Sequence, residues 1–345
     1  MQVSEEISRL HNRGIEHYAR GEHASAALIW TNAQILARSQ LGGSKQRYLC
    51  AENWTNGLGH IAILDFFAKR KLLGLCDYDY TVLTKPEYTA NACYLDLWRP
   101  FFAFAPAPRP YPDAVLFASE LPMVLEFEGR WLPFMDATFE VEQIWRAVGR
   151  APLLNMSRDL IDRGWDKLKS LGIPRTWFVT IHCRNEGHVS GIESDFSSIR
   201  NSPLADHLLA IAAINRAGGR VIRIGKATLP RPIEGLIDLA GAADWLDVFL
   251  LSQCRFFIGC NSGPCWVAGT FGIPALLTNW APPATPYGFA GAIILPKRLK
   301  RKGDGADVPD IWIESAAMLA QRGIEAVNST PEEIELATQR MLLRH

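Results

Sequence analysis

The sequence predicts an α/β protein in which parallel strands alternate with helices on both faces of the sheet, and three observations carry that prediction. The run from Phe256 to Asn279 reads as strand, Ser-Gly turn, short helix and second strand without a break. Trp177–Arg184 and Arg220–Gly225 are further short apolar runs, and the segment between them is long enough for a helix and closes in Gly218-Gly219. Nearer the N-terminus, Tyr48–Glu52, the glycines Gly57 and Gly59, and the helical run Ile61–Arg70 repeat the order strand, glycine loop, helix. Short apolar runs bounded by turn residues are strands, and strands separated by helix-length segments must pair in parallel through crossovers.

The elements follow in chain order. Leu10 to Leu36 is a helix, a turn at Gly21 and a second helix, with Gly14, Ala26, Trp30 and Ala33 alternating small and large packing residues. A lone hairpin of this kind cannot bury its apolar face by itself, so it packs on the following domain or on a partner. After Gly42-Gly43 come the first strand and helix. Residues 72–140 carry Pro100, Pro106, Pro108, Pro110 and Pro112, which forbid long helices and central strands and predict a loop-rich region. Its aromatics Phe101, Phe102, Phe104, Tyr111 and Trp131 are read as core packing, with a sugar or peptide platform as the alternative. Helices are expected over 139–148 and 158–171, with a hinge within 150–175. The alternation then runs as strand 177–184, helix 203–217, strand 220–225, helix 244–253, strand 255–260, helix 263–271 and strand 273–279. Ala281–Gly288 must be an irregular loop beyond the last of these strands, and Tyr287 is a candidate to stack on a base or sugar. Thr330, Pro331 and Glu333 spell a helix start, so a closing helix is expected over 331–343.

Composition narrows the function. With 345 residues, of which 48% are hydrophobic, the chain holds two or three domains with ample core. Its 36 basic residues balance 36 acidic ones, and zero net charge argues against a nucleic-acid partner. The N-terminus lacks a basic segment followed by an apolar one, and no apolar run approaches bilayer length, so a cytoplasmic location is expected. The seven cysteines form no Cys-x-x-Cys pair and read as reduced core thiols rather than a zinc site. Asp77-Tyr-Asp79 has the spacing of a metal-binding pair but reads as a turn. No metal and no cofactor is expected. The dense basic run Lys297–Lys302 reads as a solvated loop, with weak contact to an anionic membrane surface as the alternative.

Chemistry concentrates at three strand ends. The turn Ile258-Gly-Cys-Asn-Ser-Gly263 opens a helix whose unpaired N–H groups and dipole suit an anion beside Asn261, Ser262 and Gly263. The strand ending in His182 and Arg184 feeds a polar loop with Glu186 and His188. The third strand carries Arg223, which must meet an anion or a carboxylate, and ends in Gly225 and Lys226. Ligands of open α/β sheets sit beyond the carboxyl ends of strands, so these groups serve a common space.

The combination of His182-Cys183-Arg184, Arg223-Ile-Gly225, Asp244–Leu250 and Ile258–Gly263 followed by Gly272-Ile-Pro274 resembles the nucleotide-sugar half of GT-B glycosyltransferases. Within these it is similar to bacterial transferases related to the fucosyltransferases with a His-x-Arg motif, and its Ser-Gly turn to that of heptosyltransferases. The N-terminal hairpin resembles a single tetratricopeptide repeat. The resemblance implies a helical hairpin over 1–42, a Rossmann-like acceptor domain over 43–165 and a Rossmann-like nucleotide-sugar domain over 166–345, facing a cleft. It implies metal-independent, inverting transfer of a sugar from a nucleoside diphosphate sugar, GDP-fucose among the choices, to a hydroxyl of a glycan or protein. Arg184 would stabilise the departing diphosphate, and His182, Arg223, Gly225, Lys226, Asn261, Ser262 and Gly263 would hold the donor. Asp247 either orients the donor or stabilises the core. Gly57 and Gly59 form the acceptor-side loop, and His60, Glu186 and His188 are the candidate proton acceptors for the attacking hydroxyl. The alternatives are a nucleotide-sugar epimerase and a non-catalytic sugar-nucleotide-binding protein.

Overall fold

The computed structural model describes residues 2–20, 22–120, 124–184, 199–225, 231–281, 287–309 and 316–345. Two compact units divide at Ala151/Pro152. This boundary precedes the expected 165/166, because the helix over 158–170 packs into the second unit.

The first unit opens with helices α1 (Gln2–Ala19) and α2 (His23–Ser39), packed as an antiparallel hairpin. Gly14 lies so close to the Trp30 indole that a Cβ there would collide with it, and Trp30 donates from Nε1 to the His11 carbonyl at 3.1 Å. The hairpin docks on its own unit: Gln34 Nε2 donates to the Ser119 carbonyl at 3.1 Å, and Arg38 grips both oxygens of the fully buried Glu120 at 2.9 and 3.0 Å.

Strands β1 (Gln46–Leu49), β2 (Asp79–Thr84) and β3 (Ala103–Pro106) form a three-stranded parallel sheet in that order. Short helices α3 (Ala51–Trp54) and α4 (Leu58–Ala62) lead into α5 (Leu64–Leu72), with α6 (Ala92–Asp96) and α7 (Asp113–Ala118) after β2 and β3. The hairpin β4 (Val124–Phe127) and β5 (Arg130–Pro133) precedes α8 (Phe134–Ala147). The proline-rich stretch therefore holds more order than expected, with its strands and helices kept to four to six residues between the prolines. Of the five aromatics singled out here Phe102 is core, buried and interlocked with Trp54, Phe67, Tyr80 and Trp98 through edge and tilted ring contacts, whereas Phe101, Phe104 and Tyr111 are half-buried and the Trp131 side chain lies outside the described residues. Asp79 begins β2 and pairs with Lys71, while the exposed Asp77 pairs with Lys45, so these carboxylates neutralise surface lysines.

The second unit carries α9 (Arg158–Ser170), then β6 (Phe178–His182), α10 (Leu208–Arg216), β7 (Arg220–Arg223), β8 (Leu236–Asp238), α11 (Asp244–Gln253), β9 (Phe257–Gly259), α12 (Gly263–Thr270), β10 (Ala275–Trp280) and β11 (Ile293–Pro296). Its six strands are parallel in the order β11-β10-β9-β6-β7-β8. This is the doubly wound order of a Rossmann sheet, with the first strand of the unit at the centre. On one face Val179, Ile181, Val221, Ile258 and Leu276 pack with Ile211 and Ile214 of α10. On the other, Phe178 meets Trp165 of α9, and Thr180 donates to the Leu250 carbonyl of α11 at 3.0 Å. Strands β8 and β11 were not expected: β8 has three half-buried residues, and β11 is a four-residue strand at the opposite edge of the sheet.

Two further expectations are corrected. The basic run forms β12 (Arg298–Arg301), which pairs antiparallel with β13 (Ile324–Val327), instead of a solvated loop. Lys297 is buried, and Arg298, Lys300 and Arg301 meet Glu333, Asp307 and Asp304, so the run is charge-compensated rather than a bare cationic patch. Tyr287 is buried among Trp266, Trp280 and Phe289, donates to the Cys265 carbonyl at 3.0 Å, and is core instead of a stacking surface. Helices α13 (Ala316–Gln321) and α14 (Pro331–Arg344) complete the unit. The capping box at the start of α14 forms as the sequence predicts, with Thr330 and Glu333 exchanging hydrogen bonds.

Candidate functional site

Chain direction creates the site in the second unit. β6 and β9 are neighbours, with His182 opposite Gly259, yet β6 leads outward to β7 and β9 leads the other way to β10. Connections leaving a pair of strands in opposite directions open a crevice at their carboxyl ends. His182 closes β6 at one wall. At the other, Cys260, Asn261 and Ser262 turn the chain from β9 into α12.

Ser262 is the N-cap of α12, with extended backbone, but its side chain makes no capping hydrogen bond to its own helix. The hydroxyl instead donates to the Cys260 carbonyl at 3.2 Å and lies 3.1 Å from Nδ1 of His182. With the hydroxyl proton committed to the carbonyl, its oxygen accepts from Nδ1–H, which fixes the imidazole tautomer across the crevice. The amide end of α12, beginning at Gly263, keeps the partial positive charge of a helix N-terminus. Asn261 pins the turn, its Oδ1 accepting from Ala281 N–H at 2.6 Å.

Gly225 approaches His182 from the β7 side. Its φ is +141°, a backbone conformation that side-chain-bearing residues rarely adopt, so glycine serves the turn here, while a Cβ would make only ordinary contact with His182 Cδ2 at 3.7 Å. Its carbonyl accepts from Gly241 N–H at 2.7 Å, tying this loop to the residues that start α11.

Cations surround the same strand ends. Arg184 is only 6% exposed, and its carbonyl accepts from Ser202 N–H at 2.9 Å. Burial pushes the Cys260 thiol up, opposed by a hydrogen bond from the Arg184 backbone and by the charges of Arg184, Arg200 and Lys297. Three cationic side chains thus act on one buried sulfur at the end of β9. Lys297 donates to the Asn201 carbonyl at 2.9 Å and to Asn328 Oδ1 at 2.6 Å, and burial lowers its pKa. Arg200 and Lys297 escaped the sequence reading: Arg200 has no motif around it, and Lys297 was absorbed into the basic run.

The structure treats the other expected residues differently. Arg223 is buried and donates to Asp238 Oδ1 at 2.7 Å, its register partner on β8, so the carboxylate that an Arg in an apolar run requires is in place. Asp247 lies in the first turn of α11, one turn before Leu250 and so toward the His182 end of β6. Burial, reinforced by Asp244, pushes its carboxyl up to about 7, and its Oδ1 has no hydrogen-bond partner among the described residues. Glu186, His188 and Lys226 lie outside the described residues. In the first unit, Gly57 caps α4 with extended backbone, Gly59 sits within α4, and the exposed His60 hydrogen-bonds Asn56. Among the described residues no group of three or more His, Cys, Asp or Glu could hold a metal, and no helix is long and apolar enough to cross a membrane. All seven cysteines are free thiols, five of them buried.

The chain matches no protein-family model and no curated protein sequence. Among solved structures it is similar to a family 9 glycosyl transferase from Veillonella parvula, with 15% identity and a TM-score of 0.44, covering 86% of this chain and 82% of that one. It is similar to the E. coli ADP-heptose lipopolysaccharide heptosyltransferase II, with 14% identity and a TM-score of 0.46, covering 86% and 99%. It is also similar to TibC, a dodecameric iron-containing heptosyltransferase from enterotoxigenic E. coli solved with ADP-D-β-D-heptose, with 15% identity and a TM-score of 0.48, covering 87% and 78%.

Proposed function

We propose that the chain is a metal-independent, inverting glycosyltransferase that moves a sugar from a nucleoside diphosphate donor to a hydroxyl acceptor. The carrying observation is the Ser262–His182 hydrogen bond at the switch point of the second unit's sheet, beside the amide end of α12 and the Arg184 cation. Departure of a diphosphate is the difficult step, because charge grows on the leaving oxygens and must meet donors that are already in place. An open helix end and buried cations supply that charge without a metal ion. In this reading Arg184 faces the β-phosphate, Ser262 and Gly263 hold it by their amides, and His182 orients it. Gly225 and Lys226 complete the donor side, and Asp247 orients the nucleoside. On the acceptor side Gly57 and Gly59 let the substrate approach, and His60, Glu186 or His188 takes the proton of the attacking hydroxyl.

The test is thermal shift of wild type and Arg184→Ala against ADP-, GDP-, UDP- and dTDP-sugars without added metal. The resemblance of His182-x-Arg184 to fucosyltransferases singles out GDP-fucose, and the other donors are its competitors. Ligand at about 100 times its dissociation constant raises stability by roughly 2.7 kcal/mol. A rise confined to one nucleotide and lost in Arg184→Ala supports the reading. Release of free nucleoside diphosphate with a new glycosidic bond separates transfer from epimerisation and from binding alone, and absence of any shift overturns it.

A further inference from the structure

The basic run contributes one cation that the charge pairing of its neighbours leaves over. Lys297 follows β11, and its backbone N–H donates to the Trp280 carbonyl at 2.9 Å, just past the carboxyl end of β10. Its ammonium donates to the Asn201 carbonyl at 2.9 Å, and the next residue, Ser202, donates from its N–H to the Arg184 carbonyl at 2.9 Å. The Ser202 hydroxyl lies 3.5 Å from that of Thr278 on β10, which in turn donates to the Gly259 carbonyl of β9 at 3.2 Å. The lysine therefore starts on the edge strand and runs back over β10, toward the rim where β9 and β6 end at Cys260 and Arg184.

The surroundings of this ammonium are neutral. Its two acceptors are a backbone carbonyl and Asn328 Oδ1, the latter at 2.6 Å, and among the described residues no carboxylate pairs with it. Lys69, Arg70 and Arg223, also buried, each face a carboxylate. Asp206 acts on Lys297 only from beyond Asn328, whose Oδ1 takes the ammonium and whose Nδ2 donates to Asp206 at 2.9 Å. The Cys260 thiol, pushed up by burial, is neutral and supplies no countercharge. An ammonium has three N–H groups, and the described residues use two of them. Pinning residue 201 to residue 328 would need only a neutral donor, whereas a buried positive charge facing neutral acceptors is costly. A bound anion supplies both the missing acceptor and the missing charge.

The place selects the anion. Arg184, Arg200 and Lys297 all act on Cys260, which stands two residues before Ser262 and the amide end of α12. A diphosphate offers a second, adjacent phosphate that a monophosphate lacks, and several fixed cations beside helix amides match its larger charge. We propose that Lys297 donates its remaining N–H to the β-phosphate of a nucleoside diphosphate, alongside Arg184, and so makes this site select diphosphate over monophosphate nucleotides. The inference rests on the transferase reading and adds to it the residue that sets the phosphate count of the donor.

The experiment is calorimetry on the full chain, without added metal, with ADP, GDP, UDP and dTDP, each compared with its monophosphate. Lys297→Gln keeps a donor for the Asn201 carbonyl and removes the charge, and Lys297→Arg keeps the charge. In wild type the diphosphate of the fitting base should bind more tightly than its monophosphate. Lys297→Gln should weaken the diphosphate about tenfold or more, as loss of one charge-assisted hydrogen bond implies, and leave the monophosphate within about twofold. Lys297→Arg should restore part of the diphosphate's advantage. The paired exchange Asp206→Asn with Asn328→Asp moves a carboxylate onto the ammonium at constant net charge. It should cause the same selective loss, and it stands in if Lys297→Gln unfolds. Equal weakening of both nucleotides by Lys297→Gln would make Lys297 a pin between residues 201 and 328 and overturn the inference, as would diphosphate binding that no Lys297 variant changes. In either case Arg184-dependent binding by the wild type leaves the transferase reading standing. A wild type that binds none of the four diphosphates overturns both.

Discussion

The hydroxyl of Ser262 and Nδ1 of His182 are 3.1 Å apart although the residues are 80 positions apart in the chain, and this bond joins the two halves of the Rossmann sheet at its crevice. A serine that begins a helix ordinarily caps it; here the hydroxyl serves the neighbouring strand and makes no capping hydrogen bond to its own helix.

Ser262→Ala should therefore lower donor turnover about tenfold, the equivalent of one misplaced hydrogen bond of about 1.4 kcal/mol, while the melting temperature barely moves. Ser262→Thr, which keeps the hydroxyl, should recover part of the loss. A rate unaffected by Ser262→Ala would show that the imidazole needs no orienting partner.

Asp247 predicts a pH signature. Its folded-state pKa is raised to about 7 from 3.8, first by burial and then by Asp244, so the folded protein binds this proton more tightly than the unfolded chain does. The stability it contributes is fully present at pH values below about 4 and is lost as pH rises to about 7. At pH 8, Asp247→Asn should melt higher than wild type, by on the order of 2 kcal/mol, and should flatten the decline between pH 4 and 7. Weaker donor binding by the same variant would assign the carboxyl to the ligand rather than to the core.

In the first unit, Lys69 is 2% exposed between Asp65 and Glu142, at 2.6 Å from each. Lys69→Met leaves two buried carboxylates facing one another and should destabilise by about 3–5 kcal/mol. The triple variant with Asp65→Asn and Glu142→Gln should regain most of that loss, read by denaturant titration.

Activity should persist in excess EDTA. Abolition by chelation with recovery on magnesium or manganese would assign charge neutralisation to a metal instead of to Arg184 and the α12 amides.

Much of the second unit was legible in the sequence because its signals are local. Helix 244–253 lies where periodicity put it, and the strands around His182, Arg223 and Ile258 differ from expectation by at most two residues at their ends. Thr330, Pro331 and Glu333 announced the last helix through a cap whose hydrogen bonds span only three residues. What stayed hidden depends on distant partners. Arg223 could be read as needing a negative charge, but nothing local names Asp238, whose strand exists only as an addition to β7. Lys297 looked like one more surface lysine because its burial comes from Asn201 and Asn328, far away in sequence. The prolines of 100–112 were read as breaking order, whereas they limit its length.

The strand order also governs how the second unit is made. β6 leaves the ribosome first but ends at the centre of the sheet, and its edge toward β9 has no partner until some 75 residues later. An apolar strand with an open edge is a template for pairing with other chains. Nascent or refolding molecules are therefore most vulnerable to aggregation before Phe257–Gly259 docks, and truncation ahead of that strand should yield inclusion bodies.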